Sequence, residues 1–406
     1  MDPIVPVTRD AFLLFTARIV RLFAYGFVAV VLVLYLASIG LDDRRIGSLL
    51  TLTLAGDVIV SLILTTQADV FGRKRTLLTG ALLMIGAAAV FAFTRDFTLL
   101  VVAAAIGVIS PSGNEVGPFL AVEQVALAQT AEGRDRTALF AWYNLAGSFA
   151  TAAGSLAGGF LSGLMLKRGF GTVTSYRSTI IGYGILGIVL ATAFLRLSPA
   201  VEHHATAAPR NRVTLHSKSI IARLSALFAL DSFAGGLVVQ SIVAYWFFRR
   251  FGLTPAILGA IFFGANLLAG VSALAAARIA KKIGLLNTMV FTHLPSNVLL
   301  ILVPLMPTLP LAITVLLLRF SISQMDVPTR QAFVIAAVDP AERTAAAGIT
   351  GVARTTGAAL APILAMPLIA SLGYDWVPFV AAGALKIVYD LALLWSCRAV
   401  TLDGVQ

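Results

Sequence analysis

The sequence predicts an all-α membrane protein with twelve transmembrane helices. Of its 406 residues, 59% are hydrophobic and only 12% are charged, and the mean hydropathy is +0.93. A soluble chain of this length needs more polar surface than that. Apolar stretches of about 20 residues, the length that crosses a bilayer, recur along the whole chain. They are continuously apolar rather than alternating in polarity, which excludes an outer-membrane barrel.

Charges and turn residues separate these stretches and set their number. The predicted spans are residues 12–37, 46–66, 76–93, 98–126, 138–165, 178–196, 219–247, 256–278, 285–306, 309–335, 344–371 and 375–398. The longest polar connector lies near the middle of the chain. We therefore expect an N-terminal six-helix bundle over 1–197, a cytoplasmic linker over 198–218 and a C-terminal six-helix bundle over 219–406.

The basic residues predict how the chain is oriented. The formal net charge is +11, and the Lys and Arg residues sit in short clusters between the spans. They are more numerous in the connectors that lie inside when both termini are cytoplasmic. We therefore predict a multi-pass protein of the plasma (inner) membrane with both ends in the cytoplasm. Charge placed this way sets topology, so we do not expect nucleic-acid binding.

An internal repeat relates the two predicted halves. Gln331 follows Gln124 by 207 positions, and the same shift places Glu342-Arg343-Thr344-Ala345 on Asp135-Arg136-Thr137-Ala138 without a gap. Parallel repeats of six spans are an arrangement of secondary transporters that bind substrate between the halves near the bilayer midplane.

The connector between spans 2 and 3 carries the motif Asp69-Val70-Phe71-Gly72-Arg73-Lys74-Arg75. Its glycine permits a tight turn, and its basic residues suit the inner face of the membrane. The motif resembles the Asp-x-x-Gly-Arg-Arg/Lys signature of the major facilitator superfamily in the same connector. Within that superfamily, the chain most resembles the drug and small-molecule exporter branch.

The resemblance implies a twelve-helix fold and a gating role for this connector. In the superfamily the loop acts as a latch between conformational states. The corresponding connector of the second half, Lys281-Lys282-Ile283-Gly284, has no Asp, so the latch is expected to be asymmetric. The gating residues implied here are Asp69, Gly72, Arg73 and Lys74, with Glu123 as a partner for Arg73.

Predicted span 5 contains Gly154-Ser155-Leu156-Ala157-Gly158-Gly159. This run resembles the Gly-Pro-x-x-Gly-Gly element of antiporters in the superfamily, with Ser155 in place of the proline. Glycines four residues apart also allow ordinary close packing of membrane helices. The sequence leaves both interpretations open.

Ionisable residues within the spans are the candidates for substrate or proton binding, because charge at membrane depth is costly. Lys386 and Asp390 are one helical turn apart, and we expect them to pair. The resembled fold lines its cavity with helices 1, 4, 7 and 10. The main cavity candidates on these helices are Arg18, Arg21, Glu115, Asp231, Arg319 and Asp326. Three more candidates lie on other spans: Asp57 on span 2, Asn144 on span 5 and Arg354 on span 11.

Two of these candidates, Asp57 and Asp231, have no evident sequence partner, and such an acid can carry a proton. The buried arginines would suit an anionic substrate, because guanidinium groups bind carboxylate and phosphate through two bonds. Aromatic residues in the spans would equally suit an amphipathic molecule, and many are expected in packing or interface positions. The sequence does not separate these two classes of substrate.

The sequence therefore predicts a secondary active transporter that exports a small molecule by alternating access, coupled to protons. We expect a monomer in the lipid bilayer with no cofactor and no metal. The main alternative is a proton-coupled importer or exchanger of an organic or inorganic anion. A membrane-embedded enzyme is a more remote alternative, because only His293 among the histidines lies in a span and no nucleophile–base motif is evident. An ion channel is disfavoured by the two-half repeat.

Overall fold

The computed structural model of the chain describes residues 9–128, 135–202, 217–339, 342–371 and 373–398. Every regular element in these ranges is an α-helix or a short 3-10 helix. Ten helical segments are long and apolar enough to cross a membrane, and two shorter apolar helices, Phe97–Ile106 and Leu309–Phe320, accompany them. The all-α fold class with twelve membrane helices is confirmed.

The chain folds as two compact units. Unit 1 comprises Met1–Ile39, Gly56–Pro209 and Thr254–Ala260, and unit 2 comprises Gly40–Ala55, Arg210–Leu253 and Ile261–Gln406. Two helices are divided between the units: α3 (Asp43–Phe71) begins in unit 2, and α11 (Pro255–Ile283) begins in unit 1. Each unit therefore contains one helical end from the other half of the sequence.

Unit 1 is built around close packing of its first helix. The helices that lie wholly in unit 1 are α1 (Arg9–Ala29), α2 (Leu32–Ser38), α4 (Arg73–Phe93), α5 (Phe97–Ile106), α6 (Phe119–Ala128), α7 (Asp135–Lys167) and α8 (Thr172–Leu195). Helix α1 packs on α7 and α8, and α4 packs on α8. A Cβ atom at Gly154 or Gly158 of α7 would clash with the backbone carbonyl of Phe23 or Phe27 of α1. These glycines allow two membrane helices to approach closely.

Unit 2 has a nonpolar core to which five helices contribute buried residues. Its helices are α9 (Lys218–Gly236), α10 (Gln240–Phe251), α12 (Leu285–Leu302), α13 (Leu309–Phe320), α14 (Asp326–Ala336), α15 (Arg343–Ala359), α16 (Pro362–Ala370) and α17 (Val377–Cys397). Phe228, Met289, Phe333 and Leu393 come from α9, α12, α14 and α17 and pack together with almost no exposure. The core sits directly beside the buried charges described below.

Five of the predicted spans are interrupted in the described ranges. The two longest interruptions correct the expectation of continuous helices over 98–126 and 309–335. Residues 107–118 separate α5 from α6, and residues 321–325 separate α13 from α14. The first break contains Pro111 and Pro118, and it contains Gly113 and Gly117 with φ of 72° and 81°. Proline removes a helical donor, and positive φ ends a helix, so this stretch cannot continue α5.

Candidate functional site

The interrupted stretch 107–118 of unit 1 has its backbone held by surrounding side chains. The Tyr25 hydroxyl donates to the carbonyl of Val116 at 3.0 Å, and the Tyr183 hydroxyl donates to the carbonyl of Val108. Ser110 Oγ donates to the carbonyl of Asn114 at 2.7 Å. Backbone groups that leave a helix within a membrane need such partners, because hydrocarbon supplies none. The break is therefore a built feature of the fold.

Two arginines of α1 and two glutamates form a closed ionic network in unit 1. Arg21 donates from Nη1 and Nη2 to the two oxygens of Glu123, at 2.5 and 2.7 Å, and from Nε to Glu115 at 2.8 Å. Arg18 Nη1 donates to the other oxygen of Glu115 at 2.7 Å. Arg21 and Glu123 are fully buried, and two positive charges face two negative charges.

Residues of α7 complete this network. Arg18 donates from Nε to the carbonyl of Tyr143 at 2.9 Å and from Nη2 to Oδ1 of Asn144 at 3.2 Å. The Tyr143 hydroxyl donates to Glu123, and its ring lies 4.3 Å from the guanidinium carbon of Arg18. The structure thus brings together Arg18, Arg21, Glu115 and Asn144 of the predicted cavity set, and adds Glu123 from the predicted gating set.

Asp57 lies next to the same interrupted stretch but outside the ionic network. Its Oδ1 accepts a hydrogen bond from the backbone N–H of Gly117 at 2.6 Å and one from Ser61 Oγ at 3.2 Å. Both donors are neutral, and no ion pair of Asp57 is formed within the described ranges. Asp57 can therefore change its charge without breaking a salt bridge.

Asp231 is the centre of the charged cluster in unit 2. Lys386 Nζ of α17 lies 2.5 Å from Asp231 Oδ1, and Arg330 Nη1 of α14 lies 3.2 Å from Asp231 Oδ2. The same Arg330 nitrogen donates to Asp326 at 2.9 Å. The structure brings the predicted residues Asp231 and Asp326 together through Arg330, a residue that the sequence analysis did not select.

The expected pairing of Lys386 with Asp390 is wrong, because Lys386 binds Asp231 from another helix. Asp390 is instead bound by two residues of α12. Its Oδ1 lies 2.9 Å from His293 Nδ1, and its Oδ2 accepts from Asn297 Nδ2 at 2.8 Å. The spacing of residues along α17 could not predict the partner of Lys386, because that partner, Asp231, lies on α9.

Arg319 of α13 and Arg354 of α15 differ from Arg330, the third arginine of the cluster. Neither forms an ion pair with any residue that the structure describes, and the Nε of each is buried without an acceptor. Both experience the electrostatic field of Asp231 and Asp326. These two guanidinium groups have unused donors of the kind that bind anions.

The connector between α3 and α4 is held by a carboxylate from later in the chain. The backbone N–H groups of Arg73 and Lys74 donate to the two oxygens of Glu202 at 2.9 and 3.0 Å. Gly72 precedes them with φ of 104°. A carboxylate at a helix N-terminus satisfies free N–H groups and complements the helix dipole. The side chain of Asp69, the remaining predicted gating residue, lies outside the described part of the chain.

Sequence reasoning missed several members of both clusters. Pairs spaced by four residues, such as His293 with Asn297 and Asp326 with Arg330, place polar groups on one helix face and were a usable signal. Glu202 gave no comparable signal, because its role depends on contact with α4 from more than 120 positions away.

Twelve membrane helices with interrupted spans beside buried charge define a polytopic membrane transport protein. The chain belongs to the Major Facilitator Superfamily, whose sequence profile matches residues 14–327. Family and fold together support a secondary transporter. The chain is 30% identical over 430 aligned positions to the uncharacterized membrane protein YJR124C of Saccharomyces cerevisiae, covering 98% of this chain and 95% of that protein.

Solved structures share this fold. The xylose transporter XylE from E. coli in an inward open conformation matches with a TM-score of 0.74 and 14% identity, covering 98% of each chain. The nucleoside transporter NupG matches with a TM-score of 0.70 and 16% identity, covering 96% of this chain and 99% of that one. At such low sequence identity, these structural matches establish the fold and do not identify the substrate.

Proposed function

We propose that this protein moves a small molecule across the plasma (inner) membrane by alternating access, coupled to protons, as a monomer with both termini in the cytoplasm. The observation that carries the proposal is the interrupted stretch 107–118, where Glu115 and the N–H of Gly117 meet Arg18, Arg21 and Asp57. Irregular backbone at membrane depth occurs where it is buried in protein or lines a cavity. Discontinuous helices are where transporters bind substrates and coupling ions.

Proton coupling is supported most directly by Asp57. Its hydrogen-bond donors are a backbone N–H and a hydroxyl, and both can still bond to a protonated acid through its carbonyl oxygen. Asp231, the other proton candidate, binds Lys386 and Arg330, so protonating it would leave two cations without their partner. Asp57 is therefore the first residue to test and Asp231 the second.

Export is the proposed direction, and it rests on the resemblance of Gly154–Gly159 to the antiporter element. In unit 1 these glycines make close contacts: Gly154 and Gly158 with α1, and Gly159 with Pro255 and Gly259 of α11. Packing of this kind serves either direction of transport. The direction must therefore be measured and is separate from the proposal of proton coupling.

The test is a flux assay in proteoliposomes with an imposed pH gradient, using a panel of organic and inorganic anions, amphipathic cations and sugars. Asp57→Asn should abolish flux driven by the gradient while substrate exchange at equal concentrations continues. Asp96→Asn is the matched control, because Asp96 caps α5 at an exposed connector and Asn is an equally good cap. Gradient-driven flux retained in both Asp57→Asn and Asp231→Asn would overturn proton coupling through these acids.

A second candidate, transport of an organic or inorganic anion, is favoured by one observation. Among the described residues, the unit 2 cluster contains four cationic side chains, Lys386, Arg319, Arg330 and Arg354, and three carboxylates, those of Asp231, Asp326 and Asp390. An anionic cargo would balance the excess. The anion members of the panel distinguish this candidate from transport of a cationic drug or a sugar.

A further inference from the structure

We infer that His293 and Asp390 form a proton-binding site in unit 2, separate from Asp57. The inference rests on the proposed proton coupling and names a second place where a proton binds. His293 lies on α12 and Asp390 on α17, and both are buried, with 5% and 0% of their surface exposed.

The geometry places the His293 ring between two carboxylates. Nδ1 lies 2.9 Å from Asp390 Oδ1, and Nε2 lies 3.9 Å from Asp231 Oδ1. Asn297 Nδ2 donates to the second oxygen of Asp390 at 2.8 Å and orients that carboxylate. The ring of Tyr389 packs edge-on against His293 with a centroid separation of 6.0 Å. Each ring nitrogen thus lies within 3.9 Å of a carboxylate oxygen, and Nδ1 also lies 3.2 Å from Asn297 Nδ2.

The charges around this pair leave Asp390 without a permanent counterion. Lys386 binds Asp231, and Arg330 bridges Asp231 and Asp326. Two fixed cations therefore account for two of the three carboxylates. Among the residues that the structure describes, the partners of Asp390 are His293 and the neutral amide of Asn297. Whether Asp390 is neutralised depends on the protonation of His293.

The charged and titratable groups around His293 and the carboxylate cluster that it contacts come from five helices. They are Asp231 on α9, Arg319 on α13, Asp326 and Arg330 on α14, Arg354 on α15, and Lys386, Tyr389 and Asp390 on α17. Histidine is the side chain in this set whose ordinary titration falls between pH 5 and 8. Arginine and lysine side chains are ordinarily cationic over that range.

The proton balance follows from the contacts. In the neutral tautomer that donates from Nδ1 to Asp390, the lone pair of Nε2 faces Asp231. One proton binds Nε2, no covalent bond between heavy atoms changes, and the imidazolium then lies between two carboxylates. Lys386 Nζ and His293 Nε2 both face Asp231 Oδ1, so the bound proton competes with Lys386 for that oxygen. Proton binding therefore alters the contact that joins α9 to α17.

The composition of the chain permits a direct measurement that needs no substrate. The protein has four histidines, and the other three are His203, His204 and His216. Replacing those three with Gln and labelling with ring-2-¹³C histidine leaves one NMR signal, from His293. We expect this signal to move between its neutral and cationic positions from pH 5 to pH 9, and Asp390→Asn to keep it neutral. If the signal of the protein that retains Asp390 stays at the neutral position or at the cationic position across this pH range, the inference is overturned.

A flux experiment then tests whether this proton is used. His293→Gln should lower pH-gradient-driven flux at least tenfold while equal-concentration exchange continues, which also shows that the variant folds. Thr292→Val is the matched control, since the Thr292 hydroxyl bonds only to the Thr288 carbonyl of its own helix. Wild-type coupling in His293→Gln would overturn this site and leave the Asp57 proposal standing. Absence of any gradient-driven flux in the wild-type protein would instead contradict the proposed function.

Discussion

The buried charges of unit 1 and unit 2 are organised differently. In unit 1, each guanidinium group of the Arg18–Arg21 pair is bound by carboxylates, and two cations face two anions. In unit 2, Arg319 and Arg354 have no ion-pair partner among the described residues, and Asp390 faces a histidine. A fully paired buried network resists change, because breaking it leaves charge in a nonpolar environment. The incompletely paired cluster can accept an anion or a proton at smaller cost.

The largest expected effect lies in the closed network of unit 1. Arg21→Gln leaves the fully buried Glu123 without its two-bond partner, and we expect a loss of about 3–5 kcal/mol of stability. The measurement is unfolding of the purified protein in detergent. The double variant Arg21→Gln with Glu123→Gln removes both charges and should recover most of the loss. If the free energy of unfolding of Arg21→Gln lies within about 1 kcal/mol of the wild-type value, the network does not have the structural role assigned to it.

The next effect compares helix packing in the two units. Gly158→Ala on α7 would place a methyl group against the carbonyl of Phe27 and should cost about 1–3 kcal/mol of stability. Gly348→Ala on α15 has no heavy atom of the described chain near the added Cβ and should be neutral or stabilising by up to about 1 kcal/mol. Equal melting temperatures for the two variants would contradict the close α1–α7 contact.

Arg319→Gln tests the open cluster of unit 2. Its guanidinium has no ion-pair partner among the described residues and should contribute to anion binding rather than to folding. We therefore expect anion flux to fall about tenfold, equivalent to about 1.4 kcal/mol, with unchanged or raised thermal stability. Arg223→Gln, an exposed arginine on α9 of the same unit, is the control. A variant that unfolds as readily as Arg21→Gln would show that the two clusters are alike.

The smallest effect concerns a carboxylate outside both clusters. Glu202→Ala removes the acceptor for the N–H groups at the start of α4 and should lower stability by about 1 kcal/mol. Glu202→Gln keeps one acceptor oxygen and should lose less. Thermal unfolding of both variants in detergent measures the difference. A larger loss for Glu202→Gln than for Glu202→Ala would exclude the capping role.

Hydrophobicity and length predicted the number of membrane helices, because burial in lipid is a property of each stretch by itself. The interruption at 107–118 was also readable, since Ser110-Pro111-Ser112-Gly113-Asn114 has the composition of a turn rather than a helix. The span was nevertheless predicted as continuous, because the flanking residues are strongly apolar. The break at 321–325 contains no proline or glycine and carried a weaker signal.

Side-chain pairing could be predicted only in part. The candidate residues Arg18, Arg21 and Glu115 were selected because charge within a span is rare, and the fold places them together. Lys386 was assigned to Asp390 from its spacing, whereas an acid on another helix binds it. Asp57 accepts a hydrogen bond from the backbone N–H of Gly117, which is free to donate because the neighbouring helix is interrupted there. Such partners arise from tertiary structure, and a single sequence does not contain that information in local form.

The division of α3 and α11 between the units has a consequence for dissecting the gene. Cutting the coding sequence within residues 203–216 would produce two fragments, and neither would encode a complete unit. The first would carry Asp43–Ala55 without the rest of unit 2, and the second would carry Thr254–Ala260 without the rest of unit 1. Co-expression of the two fragments should therefore yield more folded protein than expression of either fragment alone. Complementation between the two gene fragments can then be used to select for correct folding.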